Sequence, residues 1–209
     1  MKLLLNQPVI DNKHEFRDLT LLCLLYDTGA RVQELANLIV ADVNLNTFAT
    51  IKLSGKGGKS RIVPIMEQTT SILKLYISEM ELNHIHKRNC LLFTNRMNAK
   101  LTTAGIAYII NKYAERARLK NPLIIPDSIS PHCFRHSKAM HLLQSDINLV
   151  YIRDFLGHTD IKTTEIYARA DAETKRKALL NAKSSIVSEE LPVWKQDESL
   201  FKWLTSLSK

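Results

Sequence analysis

A glycine-rich stretch at residues 54–59, Ser-Gly-Lys-Gly-Gly-Lys, interrupts a chain whose apolar residues otherwise recur mostly at helical spacing. Two short runs rich in β-branched residues, Thr47–Leu53 and Ser60–Ile65, flank this stretch. Runs of this kind joined by a glycine-containing connector are typical of an antiparallel hairpin. The sequence therefore predicts a mainly α fold with a small antiparallel β-sheet, which places the chain in the α+β class.

Helical periodicity predicts most of the remaining secondary structure. The predicted helices are Phe16–Asp27, Arg31–Ile39, Glu67–Leu82, Thr102–Leu119, Pro131–Ser145, Asn148–Leu156, Asp160–Ala170 and Ala172–Lys183. Thr102 is a candidate N-cap, because its hydroxyl can accept a hydrogen bond from the first turn of the helix. We expect Cys90–Thr94 to form one more small strand and Asn121–Ser130, which contains two prolines, to be a loop.

Length and composition restrict the class of protein. The chain has 209 residues and a formal net charge of +8, from 29 basic and 21 acidic residues. An apolar content of 45% is ordinary for a globular domain and excludes an acidic disordered tail, a collagen-like chain and a disulfide scaffold. The basic surplus is a modest indication of a nucleic-acid partner.

The cysteine count and the apolar runs indicate the compartment. Three cysteines without metal-ligand spacing are expected to be reduced thiols, so we expect a cytoplasmic protein. The longest apolar runs fall far short of the roughly 20 residues that a membrane span needs. The N-terminus lacks the layout of a signal peptide, because Asn6 and Pro8 interrupt its apolar residues. We therefore expect no membrane partner.

Four short segments carry the residues with the clearest chemical potential. They are Thr28–Leu35 with Arg31, the glycine-rich stretch with Lys56, Pro131–Ser137 with His132 and Arg135, and Leu156–Thr159 followed by Tyr167. His132 and Arg135 are three residues apart, so they project from one face of a helix near its N-terminus. A guanidinium there offers two parallel hydrogen bonds to a phosphate, and the helix dipole adds positive potential.

Arg31, at the start of another helix, could hold the same phosphate from the opposite side. The candidate residues include no acidic cluster of the kind that binds Mg²⁺. The combination of arginines, histidines, a lysine and a tyrosine predicts metal-free phosphoryl transfer, in which fixed cations stabilise the transition state.

In order and spacing, these segments resemble the catalytic domain of the tyrosine recombinase (phage integrase) family. The family pattern Arg…Lys…His-x-x-Arg…His…Tyr is filled here by Arg31, Lys56, His132, Arg135, His158 and Tyr167. Flanking residues also match, among them Thr28-Gly29, Glu34-Leu35, Arg61-Ile62-Val63-Pro64 and Leu156-Gly157. The resemblance covers about residues 10–180, so the N-terminal core-binding domain of the family is expected to be absent from this chain.

The resemblance implies a DNA strand-breaking and rejoining fold and a site-specific recombinase or integrase activity without metal, ATP or another cofactor. In that mechanism Tyr167 attacks a phosphodiester to give a covalent 3′-phosphotyrosyl link. Arg31 and Arg135 hold the non-bridging oxygens, and His158 donates to one of them. His132 exchanges a proton with the tyrosine, and Lys56 protonates the leaving 5′-oxygen.

The resemblance also implies double-stranded DNA as the partner, no small-molecule substrate, and a homotetramer assembled on DNA. We expect a catalytic domain over residues 1–183 and a C-terminal arm over residues 184–209. Its apolar residues Leu200, Trp203, Leu204 and Leu207 lie on one helical face. So short a helix must pack against something, and we favour the neighbouring protomer over the arm's own domain.

Several alternatives stay open from the sequence. Lys59 lies in the same loop as Lys56 and competes with it. Glu34 could orient an arginine or could lie on a helix surface. His136 is four residues from His132, which can indicate zinc, but without a third ligand it is interpreted as a structural, hydrogen-bonding residue. At the level of function, the alternatives are a DNA-binding module without chemistry and a topoisomerase-IB-like resolving enzyme.

Overall fold

A computed structural model describes residues 1–10, 12–158, 160–169 and 171. Its architecture confirms the predicted α+β class, because it consists mostly of helices together with one small antiparallel sheet. The α-helices are α1 (Lys2–Leu5), α2 (Lys13–Thr28), α3 (Val32–Ala36), α4 (Glu67–Glu79), α5 (Thr103–Lys120), α6 (Pro131–Gln144) and α7 (Leu149–Leu156). The strands are β1 (Val43–Asn44), β2 (Thr50–Ser54) and β3 (Ser60–Pro64), and residues 162–169 are also helical.

Helix α2 runs through the middle of the core and packs against α4 and α6. Its residues Leu21, Leu22, Leu24 and Leu25 are completely buried. The helix begins after Asn12, whose side chain accepts a hydrogen bond from the His14 amide, and ends at Gly29 in the left-handed conformation (φ 56°). The fixed end of a buried helix therefore sets the position of the turn that leads to Arg31.

The sheet has the strand order β1-β2-β3, and both pairings are antiparallel. In the β2–β3 pair the register runs from Thr50 opposite Pro64 to Ser54 opposite Ser60. The Gly55 amide donates to the Lys59 carbonyl at 2.8 Å and closes the turn. The predicted hairpin is thereby confirmed, with the backbone of Lys56 in the turn.

Two local predictions are wrong for one shared reason. The predicted strand Cys90–Thr94 consists of isolated bridges, and the helix predicted to reach Ile39 ends at Ala36. The backbone after α3 pairs with the 90–92 segment, since the Leu92 amide donates to Leu38 O and the Val40 amide to Cys90 O. These long-range hydrogen bonds replace the ones that a longer helix or a longer strand would make.

The chain divides into two units, Met1–Asp171 and Ala172–Lys209. All described residues belong to the first unit. The predicted helix Ala172–Lys183 and the C-terminal arm at residues 184–209 lie outside the described residues, so the boundary at 183 stays a prediction. None of the helices in the described residues has both the length and the apolar composition needed to cross a bilayer.

Candidate active site

Arg135 lies at the centre of the site and is almost completely buried, with 5% of its surface exposed. Its two terminal nitrogens donate to Gly29 O at 2.8 Å and to Leu156 O at 2.7 Å. The first carbonyl belongs to the turn before Arg31, and the second belongs to the end of α7, just before His158. Burial and the charges of Arg31 and Arg61 lower the pKa of Arg135 to about 10, so it is still a cation at neutral pH. Arg135, which belongs to the segment Pro131–Ser137, therefore links the segment that carries Arg31 to the segment that carries His158.

Arg31 precedes α3 in an extended conformation, and its side chain is 45% exposed. Its Nη1 donates to Glu34 Oε1 at 3.1 Å and its Nη2 to Gly157 O at 3.2 Å. These contacts fix the direction of the guanidinium without covering it. Arg31 is therefore oriented by the protein and still open to a ligand.

Glu34 is buried, which excludes the interpretation of a surface glutamate and supports its role in orienting an arginine. Both of its oxygens accept hydrogen bonds from Arg61, at 2.8 and 2.9 Å, and Arg61 Nε also donates to Phe155 O at 2.9 Å. Burial favours the neutral acid. Hydrogen bonds from Arg61 and the Arg31 amide, with the two positive charges, outweigh it and hold the pKa of Glu34 below its usual value. In the sequence, Arg61 stands out only as one of the residues that flank the family pattern, so this contact with Glu34 was not predicted.

His158 follows Gly157, whose left-handed backbone (φ 67°) ends α7. The His158 Nδ1 lies 2.9 Å from the hydroxyl oxygen of Thr164, which is fully buried. Burial, together with the charges of Arg135, Arg31 and Arg61, lowers the pKa of His158 to about 4. The imidazole is therefore neutral at pH 7 and can donate one hydrogen bond without carrying charge.

Tyr167 lies in the helical residues 162–169 and packs against the buried side chains of Ala139, Ile152 and Leu156. Its ring is nearly parallel to that of His158, with 6.4 Å between the ring centroids and 15° between the planes. Burial raises the pKa of Tyr167, and the positive charge of Arg135 opposes that shift. The phenol is protonated at neutral pH and lies beside a cation.

Two of the three histidines of α6, His132 and His136, lie in an order relative to Tyr167 that the sequence did not indicate. His132 is exposed, and its ring centroid lies 6.5 Å from that of His136. The His136 ring in turn meets the Tyr167 ring edge-on at 5.3 Å between centroids. Burial, with His132 and Arg135 nearby, lowers the pKa of His136. The interpretation of His136 as a structural, hydrogen-bonding residue stays a prediction, and the structure adds an aromatic contact with Tyr167 that helical spacing within α6 could not indicate.

The hairpin forms one wall of a cavity of about 550 Å³. The residues that line it come from the hairpin, α3 and the end of α7: Arg31, Glu34, Gly55, Lys59, Ser60, Arg61, Asp154, Gly157 and His158. Lys59 therefore faces the same space as Arg31 and His158. The side chain of Lys56 is outside the described part of the chain, so the choice of Lys56 over Lys59 stays a prediction.

Taken together, the site combines two guanidiniums, a neutral imidazole and a buried phenol beside an open cavity. Fixed cations and hydrogen-bond donors of this kind suit a tetrahedral oxyanion such as a phosphodiester. No group of three or more His, Cys, Asp or Glu side chains that could hold a metal ion occurs among the described residues. The arrangement suits phosphoryl transfer to or from a tyrosine.

The fold and the site define a class of protein, one with an arginine-rich phosphate site beside a buried tyrosine, and comparison with known sequences identifies the family. The chain belongs to the phage integrase family, which its sequence matches over residues 2–174. It is 38% identical over 165 residues to the tyrosine recombinase XerD of Staphylococcus haemolyticus, covering 78% of this chain and 54% of that protein. It is 33% identical over 171 residues to the tyrosine recombinase XerA of Thermococcus kodakarensis, covering 80% and 56% of the two chains.

Solved structures give the same answer for the fold. The site-specific recombinase XerH, bound to a palindromic difH substrate in a post-cleavage complex, matches with a TM-score of 0.68 at 30% identity. That match covers 85% of this chain and 50% of XerH. The crystal structure of the XerA recombinase matches the fold with a TM-score of 0.66 at 22% identity, over 100% and 62% of the two chains. This chain spans little more than half the length of the curated relatives described above.

Proposed function

We propose that this chain is the catalytic part of a site-specific DNA recombinase, which cuts and rejoins strands through a covalent 3′-phosphotyrosyl intermediate on Tyr167. The observation that carries the proposal is the placement of Tyr167 against His158, with Arg135 joining the segments of Arg31 and His158. The similar XerH protein is described in a post-cleavage complex with its DNA substrate, which supports the same chemistry here.

The reaction proposed is an in-line displacement at phosphorus. The Tyr167 oxygen forms a bond to phosphorus while the bond to the 5′-oxygen breaks, and rejoining is the reverse step with a 5′-hydroxyl as nucleophile. Arg31 and Arg135 neutralise the non-bridging oxygens as charge grows on them. Because the phosphotyrosyl ester conserves the energy of the broken bond, rejoining needs no ATP.

Protons are transferred at two places in this scheme, and at a third place a proton is only shared in a hydrogen bond. With Thr164 donating to Nδ1, we assign the proton of the neutral His158 ring to Nε2, which keeps it and donates a hydrogen bond to a non-bridging oxygen. Lys56 protonates the leaving 5′-oxygen, a role for which Lys59 is the alternative. His132 exchanges a proton with Tyr167, and His136, whose ring contacts Tyr167, is the alternative for that role.

The decisive experiment uses a pool of nicked duplexes with randomised binding arms, in which a cut releases a short strand and so prevents rejoining. We expect a covalent protein–DNA adduct whose phosphotyrosine maps by mass spectrometry to Tyr167. Tyr167→Phe keeps the ring that packs on Ala139 and Leu156, so it is expected to fold and bind DNA but to form no adduct. Tyr151→Phe, at an exposed tyrosine, is the matched control and is expected to react normally.

An adduct that survives in Tyr167→Phe, or one that maps to Tyr151, overturns the proposal. DNA binding by the unmodified chain without any adduct favours a binding module that has lost the chemistry. Adduct formation followed only by relaxation of supercoils, without exchange between two sites, favours a topoisomerase-IB-like enzyme.

We also propose that double-stranded DNA is the partner and that four copies assemble on it, with the C-terminal arm of each docked on its neighbour. Deleting the chain from Ser184 is expected to leave a folded domain that cleaves single sites but exchanges no strands between paired sites. Recombination of paired sites at the normal rate, or unfolding of the shortened chain, contradicts docking on the neighbour.

A further inference from the structure

Arg61 is engaged through all three of its side-chain nitrogens, although the proposed chemistry gives it no step. Its Nη1 and Nη2 donate to the two oxygens of Glu34, and its Nε donates to Phe155 O. Its side chain is only 14% exposed. It belongs to β3, so it connects the hairpin that carries Lys56 to α3 on one side and to the end of α7 on the other.

Arg61 is coupled to Arg31 through the negative charge of Glu34, to which both arginines donate hydrogen bonds. The buried carboxylate of Glu34 also accepts hydrogen bonds from Arg31, from the backbone amide at 2.8 Å and from Nη1 at 3.1 Å. Arg31, Glu34 and Arg61 together carry a net charge of +1. Without Arg61 the carboxylate would have Arg31 as its remaining arginine partner, and the pair would be neutral. A neutral pair attracts a phosphate far less than a cation does.

Arg61 also lies tightly against the backbone that leads to His158. A methyl group placed on Gly157 would lie 3.0 Å from both Cδ and Nη1 of Arg61. Gly157 is in turn the residue whose carbonyl accepts a hydrogen bond from Arg31. The position of Arg61 is therefore coupled to both the residue before His158 and the guanidinium of Arg31.

We propose that Arg61 is a positioning residue for strand transfer: by neutralising Glu34 and holding the Phe155–Gly157 backbone, it keeps the charge of Arg31 available to the phosphate. Because Arg61 belongs to the hairpin, Arg31 is available to the phosphate only when the hairpin is packed against α3 and α7. The inference rests on the proposed function, because the phosphate is the ligand that Arg31 serves.

The test compares Arg61→Gln, Arg61→Lys, Glu34→Gln and the double variant Arg61→Gln/Glu34→Gln in adduct formation. Arg61→Gln is expected to slow the reaction roughly 100-fold, the scale of losing one preorganised charge contact at a transition state. The double variant is expected to regain at least about tenfold of that rate, because removing the carboxylate frees Arg31. Arg61→Lys keeps a charge beside Glu34 and is expected to lie between the unmodified protein and Arg61→Gln.

A second substrate distinguishes a loss of the charge of Arg31 from a structural defect of the variant. In a duplex with a methylphosphonate at the cleaved position, a methyl group replaces one non-bridging oxygen and removes the negative charge of the diester. Cleavage of this substrate therefore depends less on the charge of Arg31. The defect of Arg61→Gln is therefore expected to shrink on this substrate relative to the phosphodiester. A purely structural role would give the same defect on both.

Arg17 provides a matched control. It makes two hydrogen bonds to the buried Asp18 and one to Thr94 O, and its side chain is 12% exposed. Arg17→Gln thus removes an equivalent set of contacts from another part of the domain. We expect it to lower the melting temperature, to gain nothing from Glu34→Gln, and to show equal defects on the two substrates.

Lack of rescue by Glu34→Gln, or a defect of Arg61→Gln that is equal on both substrates, overturns the inference. If Arg61→Gln does not fold, the comparison of Arg61→Lys on the two substrates decides by the same criterion. Failure of the unmodified protein to form an adduct at Tyr167 would instead refute the proposed function itself.

Discussion

The ring of Tyr167 lies nearly parallel to the ring of His158, with only 15° between their planes. The two residues are nine positions apart, and the pKa of each is displaced by burial in the direction that favours its neutral form. In this arrangement both groups can donate a hydrogen bond, while the positive charge of the site comes from the arginines. The lowered pKa of His158 leads to the first prediction.

His158 should make the stability of the domain depend on pH. The unfolded chain protonates this histidine near its ordinary pKa of 6.5, whereas the folded protein holds the pKa at about 4. Between these values the unfolded state binds more protons, so the free energy of unfolding falls as the pH drops from 7 toward 4. Melting temperatures at pH 6.5 and 4.5 are expected to differ more in the unmodified protein than in His158→Asn.

His84→Asn, at an exposed histidine, is the control for the loss of an imidazole as such. An equally steep loss of stability in His158→Asn would show that His158 is not the group responsible.

Variants of Arg31 and Arg135 should differ in stability, although we expect both to be defective in cleavage. Arg135→Ala leaves the buried carbonyls of Gly29 and Leu156 without their donor and is expected to cost roughly 2–4 kcal/mol in urea unfolding. Arg31→Ala removes a half-exposed side chain and is expected to cost less than about 1 kcal/mol. Adduct formation should fall roughly 100- to 1,000-fold in both. Equal stability of the two variants would contradict the buried position of Arg135.

Gly157→Ala should lower the free energy of unfolding more than an alanine at another glycine of similar backbone conformation. Gly58 has φ 73° and open space around it, so Gly58→Ala measures the backbone strain alone, about 1 kcal/mol. Gly157→Ala has that strain and must also displace Arg61, which suggests a total of roughly 2–4 kcal/mol. Urea unfolding of the two variants checks the difference. A Gly157→Ala variant no less stable than Gly58→Ala would mean that Arg61 has room to move.

Adduct formation should not depend on divalent cations. The guanidiniums of Arg31 and Arg135 and the imidazole of His158 supply the charge and the donors that a phosphorane needs. Excess EDTA is therefore expected to leave the rate of adduct formation unchanged, with a Mg²⁺-dependent nuclease in the same buffer as the positive control for chelation. A rate that disappears with EDTA and returns with Mg²⁺ would refute the metal-free scheme.

The sequence predicted the features that depend on neighbours along the chain. The hairpin follows from β-branched runs around glycines, and the N-cap at Thr102 follows from its hydroxyl, which accepts a hydrogen bond from the Gly105 amide at 3.0 Å. The pattern also placed Arg31 directly after the turn at Gly29. These predictions need only local spacing and residue type.

Features that depend on distant partners could not be predicted in this way. The two carbonyls to which Arg135 donates could not be predicted, because one of them lies 106 positions away in the chain. The pairing of Arg61 with Glu34 joins a strand to a helix 27 positions earlier. Helical spacing identifies which face a side chain occupies, but it does not identify what the rest of the fold places there.

The hydrogen bond from Arg31 to the Gly157 carbonyl joins residues 126 positions apart, and it has a consequence for the order of events during synthesis. A chain that has emerged only as far as α5 already carries Arg31 and the complete hairpin, but it lacks every group that orients a phosphate from the other side. Closing so long a loop is a late and entropically costly step in folding. If the proposed function is right, an unfinished chain cannot bring Arg31, Arg135 and Tyr167 together, and we expect strand cutting only after α6, α7 and the helical residues 162–169 have docked.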